Sequence, residues 1–309
     1  MKMSSNILPN FIIGGVNNGG TSFLYSLLKQ HPEIYMPRDM RPEPSFFYKS
    51  WEYGKGLEYY STRWFSAAPK SAIAIGEKST NYLFGGAKVA GRIYQDLPKV
   101  RLIFILRNPM ERAWANYRFT VLQGLEDLPF EEALKLENQR IRGESGIWAE
   151  IQPRNYTGRG FYAQKLKEFL SYFSQSQLLI IKSESFFSDT DNELKKIYEF
   201  LGVTDIGFRA QTPPTHTSLS VIDPAVQKEL RNYFGERFDP IVEATRKELE
   251  LTQFIQNRED IEAIQRLKSN MKGKKDKIPA SARAYLSDLY ADDMQDLQGI
   301  VDFDTSDWK

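Results

Sequence analysis

The sequence predicts an α/β fold: one domain with a central, mostly parallel sheet flanked by helices, and a helical C-terminal part. Three observations carry this. Short apolar runs alternate along the chain with stretches of helical, amphipathic spacing. A glycine-rich turn joins the first run to the first helix. The length, 309 residues, holds one large α/β domain or two small ones, and the absence of a repeat or low-complexity linker favours one. Residues 1–309 therefore read as a single domain, with the charged, helical stretch 224–280 as an insertion or lid-like segment.

The first apolar run, Phe11, Ile12 and Ile13, is too short for a helix and suits a buried parallel strand. Residues 14–20 form the glycine turn, and Thr21 and Ser22 open a helix with Phe23, Leu24, Leu27 and Leu28 on one face. Glycines remove side-chain bulk, and the first N–H groups of a helix lack partners of their own. Such a turn aims donors at a phosphate. From Gly14 to Thr21 it nearly spells the nucleotide P-loop G-x-x-x-x-G-K-[ST], with Gly20 where that motif has lysine. An anionic phosphate ligand is expected, without the lysine that meets outer phosphates in ATP or GTP hydrolysis. A glycine-rich connection with no ligand is the plain alternative.

Residues 34–69 are irregular and aromatic, suited to packing a flap or lining a cleft. Residues 72–75 read as a second strand, with Glu77 and Lys78 at its carboxyl end, where ligands of open α/β sheets collect. Residues 101–107 are the clearest buried strand, five apolar residues between arginines. They run into Asn108-Pro109, a helix cap followed by proline at the first helical position. The stretch 129–142 reads as a polar helix and 143–158 as a loop. A further helix starts at Phe161 and a fourth strand covers 178–181. A capping box at Thr190 and Glu193 opens a helix that Gly202 stops. The segment 211–223 is a loop carrying His216, and 282–300 reads as a final helix pair.

The formal net charge of +1 offers no footprint for nucleic acid or an anionic membrane. With no cysteine and two histidines, thiolate zinc sites, disulfides and a Cys–His or Ser–His relay are mostly excluded. No run approaches the roughly 20 apolar residues of a membrane span, and no signal peptide is evident, so a cytoplasmic protein is expected.

Taken in order, several segments resemble the P-loop-like sulfotransferases that use 3′-phosphoadenosine-5′-phosphosulfate (PAPS), in the glycan and bacterial-type branch. The first loop with His31-Pro32 resembles the 5′-phosphosulfate loop. Glu43-Pro44-Ser45-Phe46-Phe47 resembles an E-P-x-F-F segment, and Glu77-Lys78-Ser79-Thr80-Asn81-Tyr82 resembles E-K-S-x-x-Y. Arg107-Asn108-Pro109 with Glu111-Arg112-Ala113 and Tyr117 resembles the 3′-phosphate motif. Gly160-Phe161-Tyr162, Phe200-Leu201-Gly202 and the closing Tyr290, Asp293, Leu297 and Trp308 follow the same order.

The resemblance implies PAPS as cofactor, no metal, and sulfuryl transfer to a hydroxyl or amine of a small molecule or glycan. A bacterial secondary metabolite is one such acceptor, and the product nucleotide is 3′,5′-adenosine diphosphate. It implies that Asn17, Asn18, Gly19, Gly20, Thr21 and Ser22 hold the phosphosulfate, with Arg107 on the 3′-phosphate and Tyr162 also at the cofactor. Glu77 is implied as general base, with Lys78 and Asn18 beside it. His216 and Phe47 are candidate acceptor contacts. Oligomeric state stays open.

Three positions depart from that pattern. Asn18 stands where the family has a basic residue, Ala115 where it has serine, and Pro42 where it has lysine. A charged hydrogen bond is roughly twice as strong as a neutral one, so Asn18 weakens stabilisation of the departing oxygen. Either another cation, Lys78 being nearest in sequence, replaces it, or the protein binds nucleotide or a partner with little turnover. Successive strand residues face opposite sides, so Glu77 and Lys78 share a site only if the strand bends at Gly76. A P-loop kinase is the third reading, disfavoured by Gly20.

Overall fold

The structure, a computed structural model, describes residues 6–38, 42–207, 220–272 and 276–308. The chain begins with β1 (Phe11–Gly15), α1 (Thr21–Leu28), β2 (Ile34–Tyr35), α2 (Ser50–Tyr53) and α3 (Gly56–Phe65). It continues through β3 (Ala74–Lys78), α4 (Tyr82–Asp96), β4 (Arg101–Leu106) and α5 (Pro109–Leu122). Next come α6 (Phe130–Gly143), α7 (Ile147–Ile151), α8 (Tyr162–Leu170), β5 (Leu178–Lys182), α9 (Ser183–Ser188) and α10 (Thr190–Leu201). The last helices are α11 (Pro224–Phe234), α12 (Phe238–Arg246), α13 (Arg258–Asn270) and α14 (Ala280–Gln298).

The strands form one sheet in the order β2-β3-β1-β4-β5, and every neighbouring pair is parallel. The chain leaves central β1 toward one side, then crosses back from β3 to β4. Strand order therefore reverses about β1, whose carboxyl end is where such sheets receive ligands. Side chains alternate between two apolar layers, as the pleat requires. Ile12, Leu102 and Phe104 enter one layer with α4, α8 and the rings of Phe46, Phe47, Tyr60 and Tyr82. Phe11, Ile13, Ile103 and Ile105 enter the other with α1 and α10.

The contacts divide the chain into two compact units, one of residues 1–112, 159–214 and 290–309, the other of 113–158 and 215–289. The first holds the sheet. The second has its own helical core, in which Leu230, Phe238, Ile241, Val242 and Leu267 are buried, and it contains the whole 224–280 segment. None of the described helices is long and apolar enough to cross a membrane.

Local expectations differ from the structure at several places: α2 and α3 fall in the stretch read as irregular, and α7 in the stretch read as a loop. The two-residue edge strand β2 has no periodicity to betray it. The second strand lies later than expected, at Ala74–Lys78, so Glu77 and Lys78 are strand residues. The cap of α10 is Asp189, whose carboxylate accepts from Asn192 N, because α9 runs up to it; Thr190 is the first helical residue. The final pair is one helix, α14, since no breaker interrupts 280–298.

Gly76 is buried against Phe11 across the β1–β3 ladder, and a Cβ there would fall 2.1 Å from the Phe11 ring. Gly76→Ala is expected to lower stability by about 1–3 kcal/mol through overpacking, read as a lower urea midpoint at constant m-value. An unchanged midpoint would contradict this packing.

Candidate active site

The glycine turn is built by close approach. A Cβ at Gly19 would lie 2.6 Å from the Ile105 carbonyl, and Gly20, the cap of α1, sits at φ 106° where side chains are strained. The first bonds back into α1 are those of Phe23 and Leu24 N–H to the Gly20 carbonyl. The N–H groups of Thr21 and Ser22 precede them and are the ordinary orphan donors of a helix start. The Asn18 side chain adds another: its Nδ2 is buried and has no hydrogen-bond partner among the described residues. A buried amide donor without an acceptor is costly unless an anion fills its place, so the loop fits a bound phosphate. Asn17 lines a small crevice with Val16, Thr80, Phe84 and two arginines, Arg112 and Arg159.

Lys78 stands directly over this turn. It pairs in register with Ile13, whose side faces α1, and its Nζ lies 3.3 Å from Ser22 Oγ at the start of that helix. The same ammonium is 2.5 Å from Glu43 Oε1. The other Glu43 oxygen accepts from Thr80 N at 2.9 Å and Thr80 Oγ1 at 2.8 Å. The carboxylate is thus fixed at the loop while 23% of its side chain stays exposed, against 6% for Lys78. Phe46 and Phe47, buried just beyond it, anchor the segment that brings it there.

Arg107 leaves the end of β4 and donates from Nη1 to the Asn18 carbonyl at 3.2 Å, so it shares the site with the loop. Its backbone is held on both sides. Tyr162 Oη donates to the Arg107 carbonyl at 2.8 Å, and Asn108 N donates to Glu184 Oε1 at 3.1 Å. Asn108 Oδ1 in turn caps α5 by accepting from Met110 N and Glu111 N, the role its sequence context predicts. Tyr162 is buried among Trp308 and the end of α14, where Asp293 accepts from Ala163 N and Gln164 N. Its hydroxyl therefore positions Arg107 from behind.

Residues 8–221 match the sulfotransferase domain family. The chain belongs to that family. The mouse heparan sulfate glucosamine 3-O-sulfotransferase 3B1 is 33% identical over 199 residues, 64% of this chain and 47% of the relative. The mouse bifunctional heparan sulfate N-deacetylase/N-sulfotransferase 4 is 32% identical over 203 residues, covering 64% and 22%. This chain thus spans about half the length, or less, of the curated relatives it matches. A sulfotransferase crystal structure from Alicyclobacillus acidocaldarius shares the fold at TM-score 0.66, with 24% identity and 98% and 99% of the two chains covered.

Within this sulfotransferase domain, Glu77 lies away from the loop. It is paired with Ile12, fully buried on the opposite side of the sheet from Lys78. Its carboxylate accepts from Ser79 Oγ at 2.6 Å, Tyr82 Oη at 2.7 Å and Tyr60 Oη at 2.9 Å. The strand keeps its pleat at Gly76, so the two side chains diverge, and a carboxylate enclosed by three hydroxyls has no path to an acceptor. Phe47 is likewise a core ring with no exposed surface, packed edge-on against Phe46, Tyr60 and Tyr82, which leaves it nothing to offer an acceptor. His216 lies outside the described residues. No group of His, Asp or Glu that could hold a metal occurs among the described residues. Sequence reasoning quoted Glu43 in a motif but gave it no role; the signal was an acid immediately before an aromatic anchor pair.

Burial pushes the Glu77 carboxyl from 4.5 up to about 7, against the pull of its three hydroxyl donors. The unfolded chain ionises first as pH rises, so stability falls across the window from about 4.5 to about 7. The full effect is about 3 kcal/mol. In Glu77→Gln this dependence should vanish, which urea denaturation of both proteins at about pH 5 and about pH 8 measures. Equal pH dependence in the two would contradict it.

Proposed function

We propose that this chain is a PAPS-dependent sulfotransferase that moves a sulfuryl group to a hydroxyl or amine of a glycan or small molecule, with Glu43 as base. The carrying observation is the Glu43–Lys78 pair seated over the start of α1, with Arg107 against the same turn. The reading treats residues 1–309 as one functional domain. The relatives' names include both a 3-O- and an N-sulfotransferase, so both acceptor groups stay within it.

The donors that precede the first bonds of α1, together with Asn18 Nδ2, would hold the 5′-phosphosulfate, and the Arg107 guanidinium would grip the 3′-phosphate as a planar fork. PAPS supplies an activated sulfuryl group whose sulfur–oxygen bond to phosphate breaks as the bond to the acceptor forms, leaving 3′,5′-adenosine diphosphate. Glu43 takes the proton that the acceptor loses. Thr80 holds one carboxylate oxygen, which aims the other. Lys78 stands at Ser22 and brings to the turn the positive charge that Asn18 lacks. Because that cation is present, the alternative of an impaired, binding-only protein loses its motive.

Transfer from labelled PAPS across an acceptor library tests the proposal; a protein that binds 3′,5′-adenosine diphosphate yet turns over no acceptor would restore the impaired reading. Given an acceptor, Glu43→Gln should lower kcat by about 10²–10⁴-fold with nucleotide affinity unchanged. Full turnover in that variant would remove Glu43 from the mechanism. Lys78→Met should lower kcat by about 10²–10³-fold, and adding Asn18→Lys should recover part of the loss. No recovery, or a large gain from Asn18→Lys alone, would show that Lys78 does not stand in for the loop cation.

A further inference from the structure

A cavity lies away from the Glu43–Lys78 pair, against the edge strand β2 and the end of α3. Its volume is about 790 Å³, within the range of small-ligand sites, and none of the phosphate-turn residues lines it. Three cations, Lys29, Arg38 and Arg63, and two half-buried rings, Tyr35 and Trp64, do line it, and its described lining holds no acid. The chain carries 41 basic and 40 acidic residues, so three cations around one cavity without a carboxylate depart from the even mixture elsewhere. None of the three is in an ion pair among the described residues, whereas Arg140, Arg237 and Arg266 each hold one.

The cations are also placed rather than loose. Tyr25 Oη donates to the Pro37 and Arg38 carbonyls at 2.6 and 3.0 Å, and Lys29 Nζ donates to the Arg38 carbonyl at 3.2 Å, which pins the turn that carries Arg38. The Arg63 guanidinium stacks on Trp64, 5.1 Å from the ring centre, and Tyr35 Oη donates to the Trp64 carbonyl. Guanidinium forks match the two oxygens of a carboxylate or sulfate, and the faces of Trp and Tyr accept the apolar face of a ring.

We infer that this cavity is a second binding site, separate from the sulfuryl-transfer centre, for an acidic saccharide unit bearing carboxylate or sulfate. It rests on the sulfotransferase reading only in taking a saccharide as the ring.

Calorimetry on the full chain with a sulfated hexasaccharide, maltohexaose and inorganic sulfate tests the inference, using wild type and the Arg38→Ala/Arg63→Ala double variant. The sulfated hexasaccharide should bind wild type, weaken as salt rises, and lose at least about tenfold in affinity in the variant. Maltohexaose should not bind. Equal affinity in the two proteins, no binding to wild type, or inorganic sulfate binding as tightly as the hexasaccharide would each overturn the site. Titration with 3′,5′-adenosine diphosphate should give the same affinity in both proteins. Its failure in both would remove the PAPS reading and leave the result at this cavity standing.

Discussion

The site depends on the pleat of one strand. β3 is paired with β1 through Glu77 and Lys78, so its backbone has no freedom there to twist the two side chains onto a common face. Ile12 and Ile13, opposite them in register, show where each must point. Glu77 enters the aromatic layer, where an ionised carboxylate would be costly without Tyr60, Tyr82 and Ser79 donating to it. Lys78 emerges over the start of α1, where Glu43 pairs with it beside the positive end of the helix. One acid is thereby reserved for the core and a different acid is recruited to the surface.

The rest of the site is a matter of holding backbone still. Gly19 and Gly20 let the turn pass close to β4 and then reverse into α1, which leaves donors at its mouth. Arg107 reaches the turn from β4 with its carbonyl tied to Tyr162 and the following N–H tied to Glu184. Behind Tyr162 stand Trp308 and the residues that fix it: Lys182 Nζ binds the Asp304 carbonyl and the Asp307 carboxylate at 2.7 and 2.6 Å. A chain tail distant in sequence thus supports the arginine that meets the turn. Preorganised charge of this kind needs no rearrangement when a ligand arrives.

Much of this was legible in the sequence. The runs at 11–13, 102–106 and 178–181 are apolar on both faces because helices cover both sides of the sheet, and period and length identify them without help. The glycine turn, the Asn108 cap and the Gly202 stop are written in residues with few other uses. Asn18 and Arg107, both singled out in the sequence, meet in the structure, where the guanidinium donates to the Asn18 carbonyl. Glu77 misled because a carboxylate at a strand end has two possible faces, and only the register with β1 decides between them. Glu43 was obscured for the complementary reason. It sits in an irregular stretch without periodicity, and its partner Lys78 is 35 residues away, a contact only the tertiary fold creates. Asp189 and Thr190 are both competent caps, and the length of α9 selects the first.

A crystal structure with bound 3′,5′-adenosine diphosphate tests the central claim most directly. The account predicts the 5′-phosphate on the N–H groups of the 18–22 turn, the 3′-phosphate on Arg107, and Glu43 with Lys78 facing the departed sulfuryl position while Glu77 stays buried. Nucleotide density elsewhere, or Glu77 turned out toward the phosphate with Glu43 withdrawn, would contradict it.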